Sequence, residues 1–254
     1  MVGIAAGLAA AGKNVFGVSP ACFLTARSLE QIKNDVCYSD RPVSVIGISA
    51  GVSYGALGTT HHSLHDFAVL RAIHNITIIA PADNFETREA VKAAADSLTP
   101  VYLRFGKKTM PHLPRVVPGF EVGKASVVRQ GKDVSFIACG ETVAPALAAA
   151  EMLASDGIEC RVISMHTIKP LDEAAVLQAA AETRGVVTVE EHSVHGGLGE
   201  ACASLLLQAG VQTRFKIVGF PDVHTVNGSQ PEIFQHYGID GPGLATMAKE
   251  LFSK

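Results

Sequence analysis

The stretch "GALGTTHHSLHD", Gly55 to Asp66, sets His61, His62 and His65 within five positions of one another, behind a run rich in glycine and apolar residues. Imidazole both donates and accepts hydrogen bonds near neutral pH, so a histidine in such a turn can polarise an oxygen that gains charge during a reaction. His61 and His65 are four residues apart, which on a helix would place them on one face at a spacing compatible with metal ligation. A zinc site needs at least one more ligand, and Asp66 would point elsewhere on that helix. No metal is therefore assigned to this chain, and His62 and His65 are expected to be solvated or capping side chains at a helix start. A second titratable cluster, "EEHSVHGGLGE" from Glu190 to Glu200, reads as a strand end carrying Glu191 and His192, then a glycine turn into a helix N-terminus at Leu198. Its expected role is structural or at an interface. Arg104 closes the run "VYLR", and strand ends are where α/β sheets gather ligands.

The elements that must position these groups alternate. Short β-branched runs at Val43 to Ile48, Thr77 to Ala80 and Val101 to Arg104 are separated by helical patterns over Leu64 to Ile73 and Phe85 to Ser97. This βαβ order predicts a parallel sheet covered on both faces, over residues 1–106. Residues 107–120 belong to a proline-punctuated stretch without apolar periodicity and read as a linker. The alternation resumes over residues 121–254, with strands predicted at Val134 to Ala138, Cys160 to Ser164, Val186 to Glu190 and Phe215 to Val218, which makes a second, smaller α/β domain. Met1 to Lys13, "MVGIAAGLAAAGK", predicts a helix whose small side chains imply close packing against a neighbour.

Composition narrows the partners. In 254 residues, 48% hydrophobic and 18% charged, there is material for a substantial core. A net charge of -3 gives no basic footprint for nucleic acid or an anionic membrane, so small molecules and proteins are the expected partners. Cys22, Cys37, Cys139, Cys160 and Cys202 form no C-x-x-C pair and read as buried, reduced thiols. No apolar run reaches the roughly eighteen residues of a membrane span, and no charged leader precedes the first one, so the expected location is the cytoplasm.

Several phrases together resemble a known family. "MVGIAAGLAAAGK", "GTTHHSLHDFAVLRAIHNITIIAPAD", "ETREAVKAA" and "PVYLRFGK" are similar to the pyrimidine-binding domain of transketolases. "VEEHSVHGGLGEA" and "VGFPDVHTVNG" resemble the C-terminal domain that transketolases share with 1-deoxyxylulose-5-phosphate synthases and 2-oxoacid dehydrogenase β subunits. The resemblance implies the C-terminal subunit of a split, thiamine diphosphate-dependent transketolase that moves a two-carbon ketol unit between sugar phosphates. It also implies an N-terminal partner subunit carrying the diphosphate-binding domain and its Mg2+ or Ca2+, in a symmetric hetero-oligomer. The alternatives are a subunit of either related enzyme, or a non-catalytic pairing subunit.

The resemblance further assigns residues. Phe23, in "ACFLTAR", matches an aromatic that stacks on the aminopyrimidine ring, while Pro20 replaces the next such aromatic. His61 matches the substrate-side histidine, and His62 stands where glutamine is usual. Arg104 matches a phosphate-binding arginine, whereas Ser49 replaces a phosphate-binding histidine. Ala56 and Leu57 occupy the positions of an acidic pair whose second member reads a sugar hydroxyl, which implies a non-standard substrate. The glutamate that activates the cofactor would fall just before Met1, so the chain is expected to be N-terminally truncated, without its first strand and with weak cofactor binding and little catalysis. Xylulose 5-phosphate should be turned over poorly, and Leu57→Asp should improve its kcat/KM; unimpaired wild-type kinetics with that ketose would refute this reading of the loop.

Overall fold

The computed structural model describes residues 1–251 and consists of two five-stranded sheets flanked by helices. The first half runs α1 (Val2–Ala10), β1 (Val15–Pro20), α2 (Ala21–Arg27), α3 (Leu29–Gln31), a π-helical stretch (Ile32–Tyr38), β2 (Val43–Ile48), α4 (Asp66–Arg71), β3 (Thr77–Ile79), α5 (Asn84–Asp96) and β4 (Val101–Arg104). The second runs β5 (Ser126–Arg129), β6 (Val134–Ala138), α6 (Val143–Ala154), β7 (Cys160–Ser164), β8 (Thr167–Lys169), α7 (Glu173–Glu182), β9 (Gly185–Ser193), α8 (Leu198–Gln208), β10 (Arg214–Phe220), α9 (Gln230–Tyr237) and α10 (Gly241–Glu250).

In the first sheet, β1, β2, β4 and β3 lie parallel in that order, with β8 antiparallel on the far side of β3. The second has the order β10-β9-β6-β7-β5, parallel except for β5. Five of the six residues of β2 are buried, as both-face coverage of a central parallel strand requires. Strand β1 is at the sheet edge, where Phe16 and Val18 are exposed and Pro20 costs no ladder bond. Gly17 and Pro20 interrupt its apolar run, which explains why sequence pattern alone passes over this strand.

Helix α1 answers the expectation of close packing with one face. Val2, Ala5, Ala6 and Ala9 are buried against the core, and the helix packs on the π-helical stretch, while Ile4 and Leu8 face outward. Helices α5, α7 and α10 start on Asp83, Asp172 and Asp240, whose carboxylates accept the N–H groups of Glu86, Ala175 and Gly243. Helix α4 is shorter than the apolar pattern from Leu64 to Ile73 suggests. All five cysteines are free and buried. Among the described residues, no helix is long and apolar enough to cross a membrane.

Residues 107–120 connect the two sheets but are not a free tether. The segment has no regular secondary structure but is clamped: Leu113 is buried, Arg115 makes two hydrogen bonds to Asp83 at 2.7 and 3.0 Å, and Phe120 stacks on His166 at 4.2 Å between ring centroids. The halves are also joined elsewhere, because β8 from the second half completes the first sheet and one apolar cluster runs from Val45 and Phe67 to Ile163 and Val186. Burial alone would raise the Asp83 carboxyl, but hydrogen bonds from Arg115 and from the Glu86 and Leu113 N–H groups outweigh it and hold the carboxyl below the usual range. The clamp is therefore complete above the ordinary carboxylate range and is lost as pH falls through the depressed value. Asp83→Asn should lower stability by about 2–3 kcal/mol, measured as the urea midpoint at neutral pH, because Arg115 would lose the nearer of its two carboxylate partners, Asp83 rather than Glu86, in a largely dry setting.

Candidate active site

Parallel α/β sheets leave room for ligands beyond the carboxyl ends of their strands. Here α2 starts directly after β1, and a loop of residues 49–65 follows β2. The first turn of α2 carries Phe23 and the loop carries His61, and their rings meet edge to face at 5.2 Å between centroids. Tyr54 meets the other side of His61 at 5.5 Å. The Arg27 guanidinium lies over Phe23 at 4.9 Å, and the Lys107 ammonium over Tyr54 at 5.0 Å. Thr60 Oγ1 is 3.0 Å from His61 Nδ1, a contact that orients the ring and leaves Nε2 available. Phe23, Tyr54 and His61 are all half-buried, and Leu57 and Ala56 are exposed in a 3-10 turn beside them.

Beneath the loop lies a buried charge cluster. Arg104 Nε donates to Asp66 Oδ2 at 2.8 Å, and the Tyr102 hydroxyl donates to the same oxygen at 2.8 Å. Arg104 Nη2 donates to the carbonyls of Glu191 at 2.7 Å and Ser63 at 3.3 Å, and Nη1 lies 3.9 Å from Glu191 Oε2. Burial would raise the Asp66 carboxyl, yet Arg104 and the Tyr102 hydroxyl hold it below the usual range. His192 stacks on Phe67 at 5.1 Å, with Nδ1 2.8 Å from the Ser193 carbonyl and Nε2 accepting the Ala68 N–H. Burial lowers its pKa to about 4, so it is neutral at physiological pH. Glu191 Oε1 accepts the Val52 N–H at 2.9 Å and the Gln230 amide at 2.8 Å, and that amide also donates to Glu141.

The structure brings His61 and Phe23 into contact, with Leu57 exposed in the loop that carries His61, and buries two other expected site residues, Arg104 and Ser49. The Arg104 side chain is only 4% exposed, and its Nε and Nη2 donors go to Asp66, Ser63 and Glu191, so most of its fork is turned inward rather than offered to a phosphate. Ser49 is buried and turns the chain out of β2 with φ of 51°, in the left-handed region, where a side chain is strained. His62 is also buried, against the expectation of a solvated or capping group: its Nε2 faces the Gly55 carbonyl at 3.1 Å and its Nδ1 the Thr225 hydroxyl at 2.9 Å. His65 occupies the N-cap position of α4 without a capping hydrogen bond and instead meets Thr25 Oγ1 at 3.2 Å. Because α4 begins only at Asp66, His61 and His65 share no helical face. Among the described residues, no group of three or more His, Cys, Asp or Glu could hold a metal ion. Sequence reasoning passed over Tyr54, Lys107 and Arg27; an aromatic or a cation in a loop carries no periodic signal.

Both halves of the chain match known domains. Residues 1–112 match the transketolase pyrimidine-binding domain and residues 123–244 match the transketolase C-terminal domain. The chain belongs to the transketolase family. A relative from Phocaeicola vulgatus, a subunit of an apulose-4-phosphate transketolase, is 47% identical over 254 residues, covering all of this chain and 81% of the relative. A 6-deoxy-6-sulfo-D-fructose transketolase subunit from Clostridium sp. is 39% identical, covering 87% of this chain and 71% of that subunit. A solved structure described as a split gene transketolase, inactive beta4 tetramer, superposes with a TM-score of 0.87 at 35% identity, covering 99% of this chain and 80% of that one.

Membership implies dependence on thiamine diphosphate and a transferase that works with a partner subunit. The aromatic surface of this transketolase subunit fits the flat ring of that cofactor: Phe23 is half-buried on the rigid start of a helix, with a cation and an imidazole already against it. The expected structural role of the Glu190 to Glu200 stretch has a direct counterpart. Glu190 accepts the N–H groups of Leu198 at 2.7 Å and Gly199 at 2.8 Å and so caps α8. Burial outweighs those bonds and raises the Glu190 carboxyl to about 7. Burial, with Glu141 facing it, raises Glu191 as well. A carboxyl raised on folding stabilises fully below its unfolded value and loses that contribution as pH rises through the folded value. Unfolding free energy should therefore fall between pH 5 and pH 8, with on the order of 2–3 kcal/mol from Glu190 alone. Glu190→Gln should flatten this slope in urea titrations at the two pH values; an unchanged slope would show that Glu190 does not take up a proton on folding.

Proposed function

We propose that this chain completes a two-subunit transketolase in which it supplies the ring-binding and substrate-facing walls and an N-terminal subunit supplies the diphosphate and metal-binding walls. The observation that carries this reading is the Phe23–His61 contact at the carboxyl ends of β1 and β2, in a chain that matches both family domains. When bound, thiamine diphosphate would supply a nucleophilic carbon able to cleave and remake the bond beside a ketose carbonyl. Phe23 orients the pyrimidine ring. His61, held by Thr60 at Nδ1, offers Nε2 to the substrate oxygen that gains charge. Lys107 and Arg27 give the mouth of the site the positive charge that a sugar phosphate requires, in place of the inward-turned Arg104.

The exposed Leu57 and Ala56 favour a ketose that presents no hydroxyl needing an acidic partner at this loop. The 47% identical relative is named for apulose 4-phosphate, and that ketose phosphate is the first substrate to test. The test is ketol transfer by the complex of this chain, with any preceding coding sequence included, and its diphosphate-binding partner. Turnover should require both subunits and thiamine diphosphate, and His61→Ala should lower kcat by about a hundredfold or more. A complex that transfers no ketol from apulose 4-phosphate or another ketose phosphate would overturn the proposal.

A further inference from the structure

The loop that carries Tyr54, Leu57 and His61 does not stand on its own domain alone. It lies on residues 225–230, the connection between β10 and α9 in the second half of the chain. Gly55 and Gly58 have φ of 45° and 73°, and both approach this connection too closely for a side chain. A Cβ on Gly55 would be 2.3 Å from the Gly228 carbonyl oxygen, and one on Gly58 would be 2.7 Å from Asn227 Oδ1. The connection is itself pinned: Val226 N–H donates to the Tyr237 hydroxyl, a capping box of Ser229 and Glu232 starts α9, and Gln230 donates to Glu141 and Glu191.

Thr225 joins the two surfaces by one directed chain of hydrogen bonds. Burial keeps His62 neutral by lowering its pKa, and its Nε2 lies 3.1 Å from the Gly55 carbonyl, so the ring's hydrogen is on Nε2 and Nδ1 is an acceptor. The Thr225 hydroxyl, 2.9 Å from Nδ1, must therefore donate to His62, and the Thr59 hydroxyl, 3.0 Å away, donates to Thr225. The order Thr59 to Thr225 to His62 to Gly55 leaves the loop, crosses the other domain and returns, enclosing the peptide on which His61 sits.

We propose that Thr225 is a positioning residue for the substrate-facing loop, holding the backbone of His61 from the C-terminal domain without touching substrate. This rests on the reading of His61 as the substrate-side group. It assigns the C-terminal domain a part in the reaction geometry, transmitted through a hydroxyl that both donates and accepts. Serine preserves that hydroxyl, and valine preserves only the shape.

The experiment compares wild type, Thr225→Val and Thr225→Ser by hydrogen–deuterium exchange of peptides spanning residues 53–63 in the full chain, and by kinetics of the complex with its diphosphate-binding partner. Thr225→Val should speed exchange of those peptides by about tenfold, the equivalent of one lost hydrogen bond, and leave exchange in β6 and β9 unchanged. In the complex it should lower kcat for ketol transfer by a similar factor with a smaller effect on KM, and Thr225→Ser should restore both readouts. Unchanged exchange in Thr225→Val, or a serine variant as fast as the valine one, would overturn the inference. A complex that is inactive even with Thr225 intact would sink the proposed function instead, while the exchange comparison would still decide the role of Thr225.

Discussion

The guanidinium of Arg104 is the interaction on which the remaining architecture depends. It sits at the end of β4, where first-sheet residues meet the strand end of β9, and in one plane it bonds Asp66 at the start of α4, the Ser63 carbonyl in the substrate-facing loop and the Glu191 carbonyl of the second sheet. An arginine is suited to this because its donors diverge in a fixed fork and its charge persists when dry. Taking such charges out of water is expensive, and breaking the set by removing one partner would strand the others. A deep ion cluster of this kind specifies geometry more than it stabilises. It forces helix, loop and second domain to a single relative placement, and the loop inherits that placement.

Given that foundation, the loop can be built from residues with little rigidity of their own. Glycines at positions 51, 55 and 58 adopt positive φ, and at each one a side chain would collide with Glu191, Gly228 or Asn227 from the other half of the chain. The loop's shape is thus moulded by what lies beneath it. Rigid aromatic neighbours then confine His61 to the space between Phe23 and Tyr54. The catalytic reading needs only one free nitrogen on that ring, while His62, adjacent in sequence, is used wholly for structure.

The acidic residues at the domain junction show a related division of labour. Glu190 and Glu191 are consecutive on β9, and their side chains serve different elements: one caps α8, and the other fastens Val52 and shares the Gln230 amide with Glu141. Both are buried and both are pushed toward the neutral form. Carboxyl groups so placed are often catalytic. Here their hydrogen-bond partners are backbone N–H groups and a side-chain amide of the same chain, and burial is the largest cause of both shifts, although Arg104 lies 3.9 Å from Glu191 and Glu141 faces it.

The amino-acid sequence by itself determined the alternation of strands and helices, the both-face coverage of the first sheet, and the motif matches that singled out His61 and Phe23, because periodicity and contiguous motifs are local properties. It also exposed the unusual Ala56 and Leu57, since a missing charge is as legible as a present one. Only the tertiary structure decided the direction of Arg104. A strand-end arginine has the same local signal whether it faces a ligand or a buried carboxylate, and the choice depends on Asp66 and Glu191, which lie 38 and 87 residues away. The same holds for His62 and Thr225, separated by 163 residues, and for β8, which is too short to show a pattern and exists because it closes another domain's sheet. Long-range partners set burial, burial sets the cost of an unpaired charge, and that cost, which no short window of sequence contains, fixed which polar residues face the site.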